Sequence, residues 1–419
     1  MKPQRCKGMR DLSPAEMSVF RLVEGICRDC FTRWGYQEVR TPTIEYLHLF
    51  TSAGTLTPGR LGKVYSFLDW DGWSGERVVL RPDGTIPVAR LYTENMPDKG
   101  LARLFYDTNI FIFEEAGEKT RERWQCGVEL IGAGSSMADV ELVTLSLEAL
   151  RELGLKKVEL RLSHAGLIKE LLTKLGLSHE EQDRMFDLIL DGDAEALARL
   201  RREFPALESA LLPLLSLKGQ TSGFLRNQRA LLIRDMPEAA PHFDDFMETV
   251  SLLDELGCRY QIDIASGAGF EYYTGVIFQL FIGGEKIGGG GRYDSLIRSM
   301  GGGDVPASGF ALYLDRIIDL VEPEAVKPAL APKVAVRVKT AGVVKEAYRV
   351  ADSLRQAGYI VAIDLGGQET AARWLLEVRQ EAPLLMLFDN VGGTSAGVQM
   401  VKEVLKLLEG EGGDKAGPA

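Results

Sequence analysis

The sequence predicts an α+β protein, an antiparallel sheet core carrying a helical insertion, with a small α/β domain behind it. Three observations lead there. Residues 64–135 read mostly as short strands separated by tight turns, and residues from about 166 to 256 read as almost wholly helical. A stretch holding Pro323, Pro328 and Pro332 then leads into alternating strand and helix patterns. The expected organisation is a core over residues 1–325 with its insertion at about 166–256, a stiff linker at 326–332, an α/β domain at 333–408, and a Gly- and charge-rich tail at 409–419 expected to be disordered.

The first helix is announced by Ser13-Pro14-Ala15-Glu16, a capping box with proline at the first helical position. Met17, Phe20, Val23, Ile26, Cys27, Cys30 and Phe31 follow at helical spacing, and Gly35 ends the run. Residues 36–42 alternate like a strand but end in Pro42, which places that strand at an edge or interrupts it, because proline cannot donate to a ladder. Strands are then expected at Val64–Asp69, Arg77–Arg81, Leu104–Tyr106, Ile110–Glu114 and Gly127–Ile131, with a turn at Asp71-Gly72. A capped helix from Ser136 to Gly154 and a strand Val158–Leu162 complete the unit. Within the insertion, Ser178-His179-Glu180-Glu181 and Asp191-Gly192-Asp193 read as helix caps. The latter lacks the remaining ligands of a calcium loop.

Strand character returns at Tyr260–Ile264 and Tyr272–Ile282. The run Gly288-Gly289-Gly290-Gly291 has no following Lys-Ser/Thr, so it is read as close backbone packing at a pocket floor and not as a phosphate cradle. Ala307–Leu314 leads into a helix carrying Asp315-Arg316. In the last domain Val334–Val338, Glu346–Ala357, Ile360–Asp364, Glu369–Val378 and Leu384–Phe388 are expected to alternate strand and helix.

Of 419 residues, 45% are hydrophobic and 26% charged, as in a globular protein with a core, and the net charge is −11. An acidic surplus argues against a protein that lives on nucleic acid, though a local basic groove would be compatible with it. No apolar run approaches the ~20 residues of a membrane helix, and the N-terminal residues carry no signal-peptide pattern. Five cysteines, few and odd in number, suit a reducing cytoplasm. Cys27 and Cys30 form a lone C-x-x-C inside an apolar helical stripe, which favours buried free thiols over a redox or zinc pair. Four histidines without metal-ligand spacing give no reason to expect a metal.

Several segments, in order, resemble the class II aminoacyl-tRNA synthetase fold and its histidine branch. Gly8-Met9-Arg10-Asp11 with Gly35 through Glu45 is similar to the dimer-forming first motif. Leu80-Arg81-Pro82-Asp83-Gly84-Thr85 resembles the family's Leu-Arg-Pro-Glu-Gly-Thr, and Gln125-Cys126-Gly127-Val128-Glu129 resembles the end of motif 2. Gly269 through Gly275 and Gly291-Arg292-Tyr293-Asp294 resemble the two histidine-specific signatures, and Gly309 through Arg316 resembles motif 3. The match is collinear over most of residues 7–318. It implies a histidine pocket in which Asp83, Thr85, Gln125 and Glu129 hold the α-ammonium and Tyr272 and Tyr273 flank the imidazole. Acceptors suit an ammonium, which has donors only, and flat rings suit an imidazole. Ordinary strand polarity for Gln125 and Glu129, and core packing for one of the two tyrosines, are the competing accounts. Asp83 is one methylene shorter than the family's Glu, so a water-bridged contact stands beside a direct one.

The resemblance also exposes losses. The motif 2 arginine that grips the ATP α-phosphate aligns with Phe111, and the loop after it is Glu114-Glu115-Ala116-Gly117-Glu118-Lys119. The arginine at the head of the first histidine signature aligns with Ala268. One lost donor to a transition-state charge costs ~10²–10³ in rate, and two with added acidic repulsion should end adenylation. Arg121 and Arg316 remain where the family binds phosphates. The last domain resembles the anticodon-binding domain, but its ten Lys/Arg against eight Asp/Glu over 331–408 are scattered and do not suggest a tRNA-gripping surface.

A kept amino-acid pocket beside a dismantled nucleotide site resembles the histidyl-tRNA synthetase-like regulatory subunits of ATP phosphoribosyltransferase. The resemblance implies a cytoplasmic, non-catalytic chain with no cofactor and with histidine as allosteric ligand. Its partner would be the short catalytic subunit of the first step of histidine biosynthesis, and its assembly a homodimer within a hetero-octamer. An active histidyl-tRNA synthetase using ATP and Mg²⁺, and a lone histidine- or tRNA-binding module, are the rival expectations.

Overall fold

The computed structural model describes residues 4–53, 61–70, 75–96, 100–113, 120–174, 181, 218–264, 272–322, 333–364 and 372–410. The chain divides into two compact units, Met1–Val326 and Lys327–Ala419.

In the first unit, chain order runs α1 (Pro14–Arg33), β1 (Gln37–Glu38), β2 (Ile44–Tyr46), α2 (Leu47–Ser52), β3 (Ser66–Trp70), β4 (Gly75–Leu80), α3 (Thr85–Asn95), β5 (Ala102–Phe111), β6 (Glu122–Ile131) and α4 (Ser136–Glu152). It continues with β7 (Glu159–His164), α5 (Ala165–Lys174), β8 (Lys218–Gly219), α6 (Ser222–Asp235), α7 (Ala240–Glu255), β9 (Gln261–Asp263), β10 (Val276–Ile282), β11 (Glu285–Arg292), α8 (Ser295–Ser299), β12 (Ala307–Tyr313) and α9 (Leu314–Leu320). A nine-stranded sheet has the order β1-β5-β6-β12-β11-β10-β7-β9-β8, antiparallel from β5 through β7, and a smaller sheet has the order β2-β4-β3. This is the antiparallel α+β core expected, with α5 to α7 inserted between two neighbouring strands, β7 and β10.

Local chemistry explains the entry. Ser13 N–H donates to Glu16 Oε2 at 2.7 Å and Glu16 N–H to Ser13 Oγ at 3.4 Å, closing the capping box. Phe20, Val23, Cys27, Cys30 and Phe31 bury one stripe of α1, and Phe31 sets its edge against Phe105 of β5 and Phe310 of β12, at 5.7 and 5.8 Å. Cys27 and Cys30 are buried free thiols, as expected. Gly35 takes φ +83°, a left-handed turn that a side chain would resist. The chain then reaches β1, which lies at one end of the large sheet, paired in parallel with β5. Pro42 thus follows an edge strand, where a missing donor costs nothing.

The second unit holds β13 (Lys333–Val338), α10 (Val344–Gln356), β14 (Ile360–Asp364), β15 (Trp374–Val378), β16 (Leu385–Asp389), β17 (Thr394–Val398) and α11 (Val401–Gly410), with the sheet order β14-β13-β15-β16-β17.

Several expectations need correction. Leu104–Tyr106 and Ile110–Glu114 are not two strands, because Ala102–Phe111 runs unbroken against β6. Tyr272 and Tyr273 precede β10, which starts at Val276, so the argument that adjacent strand residues face opposite ways does not apply to them. The glycine run lies inside β11, and the short helix α8 follows it at Ser295. Trp374–Val378, read as helix, is a central strand between β13 and β16. A strand covered on both faces, with Glu377 buried in ion pairs, loses the alternation that marks a strand. The insertion also contributes β8 to the sheet edge, and Ser135 at the start of α4 makes no side-chain cap hydrogen bond. Helix α11 extends through Glu409 and Gly410, so the tail does not begin at 409. The turn at Asp71-Gly72, the Asp191–Asp193 cap, residues 178–180, the linker 326–332 and residues 411–419 lie outside the described residues.

Candidate functional site

The large sheet has two unlike faces. Register places Tyr106 and Thr108 of β5, Gln125, Gly127 and Glu129 of β6, Gly309, Ala311 and Tyr313 of β12, and Gly289 and Gly291 of β11 on one of them. Phe105, Val128, Leu130, Phe310 and Leu312 take the other, apolar face, against which α1 packs. This face of glycines and polar side chains, most of them buried, is furnished unlike the apolar face behind it.

Glu129 is the centre of that face. It is 1% exposed. Tyr106 OH donates to its Oε1 at 3.1 Å, Tyr293 OH donates to Oε2, and Thr85 also hydrogen-bonds the carboxyl group. Burial nonetheless pushes its pKa up to about 8, the three hydrogen bonds lower it, and the nearby charge of Asp83 raises it. Three glycines make the geometry possible. A Cβ on Gly84 or Gly127 would strike the Tyr106 ring. One on Gly309 would strike Glu129 Oε2 and lie 2.5 Å from the Val128 carbonyl oxygen.

Asp83 is buried beside this cluster, and its Oδ1 accepts the N–H of Ile86 at 2.9 Å, with a further backbone bond from Thr85. It therefore caps the first turn of α3, and burial raises its pKa to about 6 against those two bonds. Gln125 is buried on the same face as Glu129, between Thr108 and Tyr313 in the ladder. Tyr272 and Tyr273 are both 6% exposed, their ring centroids 5.3 Å apart, and Tyr293 stands edge-on to Tyr272 at 5.4 Å. Burial, followed by the charges of Asp83 and Glu129 among others, pushes both phenols well above their ordinary pKa, so they stay protonated donors. The structure thus gathers Asp83, Thr85, Gln125, Glu129, Tyr272 and Tyr273 on and above one sheet face.

Sequence reasoning did not single out Tyr106 or the hydroxyl of Tyr293. A signal existed for Tyr106, since a glycine in mid-strand at 127 marks the close approach of a bulky neighbour. Tyr293 lay within a quoted signature without being assigned a role.

The positions that the resemblance assigns to nucleotide are differently furnished. Phe111 ends β5 opposite Glu122. The Arg121 guanidinium lies 4.5 Å over the Phe113 ring, and its backbone N–H donates to Gly8 O at 2.7 Å. Arg316 is ion-paired with Glu285 on the β10–β11 hairpin. The loop 114–119 and Ala268 lie outside the described residues. Elsewhere, Cys30, Glu148 and Glu152 bring ligand-type atoms within 4.8 Å of one another. Arg33 already pairs with Glu152, and burial pushes the Cys30 thiol up to about 12, which leaves a protonated sulfur. Among the described residues no helix is long and apolar enough to cross a membrane.

A family model described as histidyl-tRNA synthetase matches residues 8–317. An ATP phosphoribosyltransferase regulatory subunit of Dehalococcoides mccartyi is 49% identical over 97% of this chain and 98% of its own length. A histidine–tRNA ligase of Methanosarcina acetivorans is 35% identical over 98% of this chain and all of its own. Among solved structures, an ATP phosphoribosyltransferase regulatory subunit/histidyl-tRNA synthetase of Bacillus halodurans superposes with TM-score 0.75 at 24% identity, covering 88% of this chain and 95% of that one. At that identity the likeness is one of fold.

Proposed function

Because this chain belongs to the histidyl-tRNA synthetase family, and shares 49% identity with an ATP phosphoribosyltransferase regulatory subunit over nearly its whole length, we propose that it is itself a regulatory subunit of that kind. In this reading it supports a separate, short catalytic subunit in the first step of histidine biosynthesis and lets histidine inhibit that subunit. It does not aminoacylate tRNA. The observation that carries the reading is a kept acceptor floor, Glu129 under Tyr106 and Tyr293, beside a nucleotide position where Phe111 replaces the arginine that would grip a phosphate.

Histidine enters by its ammonium over Glu129, with Gln125 and Thr85 as further acceptors and the Tyr272–Tyr273 pair against the imidazole. Asp83, expected to hold the ammonium, instead supports the site in this reading by fixing the first turn of α3. A chain that binds the end product and cannot consume it acts as a sensor. Its leverage on the partner equals the difference in histidine affinity between two assembly states, typically ~1–3 kcal/mol. The proposed assembly is a homodimer, formed through α1 and the segment ending at Pro42, within a hetero-octamer with the catalytic subunit.

Two measurements test this. Purified chain with histidine, ATP and labelled pyrophosphate should show no exchange, and rapid exchange would establish the synthetase reading instead. Mixing with a short catalytic subunit should raise phosphoribosyl transfer to ATP and make it histidine-sensitive. A mixture that neither copurifies nor gains activity would end the regulatory reading. Phe111→Arg with Ala268→Arg should still fail to charge tRNA, because the acidic residues Glu114, Glu115 and Glu118 remain.

A further inference from the structure

Arg292 ends β11 and Tyr293 follows it, and their side chains go opposite ways. Tyr293 OH reaches Glu129 in the pocket. Arg292 reaches two helices behind the sheet, with Nη1 at 3.0 and 3.1 Å from the Asp245 carboxylate on α7, Nε at 3.3 Å from Asp139 Oδ1 on α4, and Nη2 bound to Asp139 Oδ2. Burial alone would lower the pKa of this guanidinium, but the two carboxylates outweigh it and hold the charge. Asp245 is held in turn. His164 Nε2 lies 3.1 Å from its Oδ2, while His164 Nδ1 accepts the Leu167 N–H at 3.4 Å, which directs the imidazole proton at the carboxylate.

The same dipeptide anchors the rest of the aromatic wall. The Arg292 carbonyl accepts the Thr274 N–H at 2.8 Å, and Thr274 Oγ1 accepts the Asp294 N–H at 3.0 Å. Lys169 Nζ of α5 donates to the Tyr273 carbonyl at 2.7 Å. Tyr273 and the residue before Tyr293 are therefore fastened to α5 and α7 of the insertion, and to α4, by charged groups that do not touch Glu129.

We propose that Asp245 is a positioning residue for the aromatic wall of the pocket, acting through Arg292 and the peptide unit it shares with Tyr293. The insertion is then part of the ligand site. A shift of α7 moves Tyr293 relative to Glu129, and filling the pocket is felt at α7. The ligand's identity rests on the function proposed above, whereas the positioning does not.

Hydrogen exchange on the ligand-free chain tests it. In Asp245→Asn, amides of residues 272–276 and 292–294 should exchange about tenfold faster or more, while β5 and β6 exchange as in wild type. Asp245→Glu, which keeps the charge, should stay close to wild type. Glu248→Gln is the control, since Glu248 sits on the same helix and accepts from Ser136 Oγ at 2.9 Å without contacting Arg292. Unchanged exchange in Asp245→Asn, equal acceleration in Glu248→Gln, or acceleration across the whole core would each overturn the proposal. If Asp245→Asn does not fold, His164→Gln reads the same link. Histidine titration of these variants separates the two claims. A loosened wall with weaker histidine binding supports both, and a loosened wall in a chain whose wild type takes no histidine keeps the positioning and removes the ligand.

Discussion

Tyr106 and Glu129 sit on adjacent antiparallel strands, and the tyrosine hydroxyl donates to the carboxyl at 3.1 Å across a diagonal of the ladder. The direct partner of Tyr106 in that ladder is Gly127, over which the ring lies. A side chain at 127 would lift the ring and break the bond. Diagonal neighbours in a sheet are ~7–8 Å apart at Cα, a gap that a tyrosine spans only when nothing stands beneath it.

Glu129→Gln keeps this shape and removes the charge. Truncating one member of a buried charged pair commonly costs ~2–5 kcal/mol. Histidine affinity should accordingly fall by at least about tenfold, ~1.4 kcal/mol. The uninhibited activity of the complex should stay near wild type, because the buried carboxyl offers no surface to a partner chain. Calorimetry on the chain and inhibition curves on the complex read the two halves. Unchanged histidine binding would place the sensor elsewhere.

With its pKa near 8, Glu129 is mostly protonated in the empty pocket at neutral pH. An arriving ammonium favours the ionised form, so binding at pH 7 should release close to one proton per site. Calorimetry in two buffers of different ionisation enthalpy measures that number, and zero release would contradict the coupling.

The same group sets a slope in stability. Its folded pKa of about 8 exceeds the ordinary 4.5, so the folded state binds the extra proton and stability is lost as pH rises from about 4.5 to about 8. Glu129→Gln removes this contribution. The variant should melt higher than wild type at pH 8 and gain less at pH 5, as read by calorimetric Tm in the absence of ligand. A gap independent of pH would refute the shift.

Gly309→Ala puts a methyl group against the Glu129 carboxyl and 2.5 Å from the Val128 carbonyl oxygen. Backbone cannot yield as a flexible side chain can, so the cost should be about 1–3 kcal/mol, as for other overpacked sites. Denaturant unfolding should show it, together with weakened ligand binding. Gly257→Ala, at a turn with φ +70° and open space around it, should cost stability without touching the pocket.

The chain alone should sediment as a dimer at micromolar concentration, given that α1 and the strand before Pro42 match the dimer-forming motif. A monomer would remove that part of the reading.

The amino-acid order alone determined the elements that carry their own signals. The capping box and 3.6-residue period of α1, the edge placement of the strand before Pro42 and the helical insertion all follow from neighbours within a few residues. Asp83, Gln125, Glu129 and the missing arginine at 111 stand out only through the resemblance to the family's motifs. Tertiary structure decided the rest. Glu129 and Tyr293 are 164 residues apart, and only the pairing of β6, β12 and β11 brings them together. That Asp83 caps α3, that both tyrosines at 272 and 273 are enclosed, and that Arg292 ties the pocket to α7 depend on the same packing. Periodicity and caps are local free-energy preferences written into short windows, whereas convergence on one carboxyl depends on which strands become neighbours and on where glycine leaves room between them.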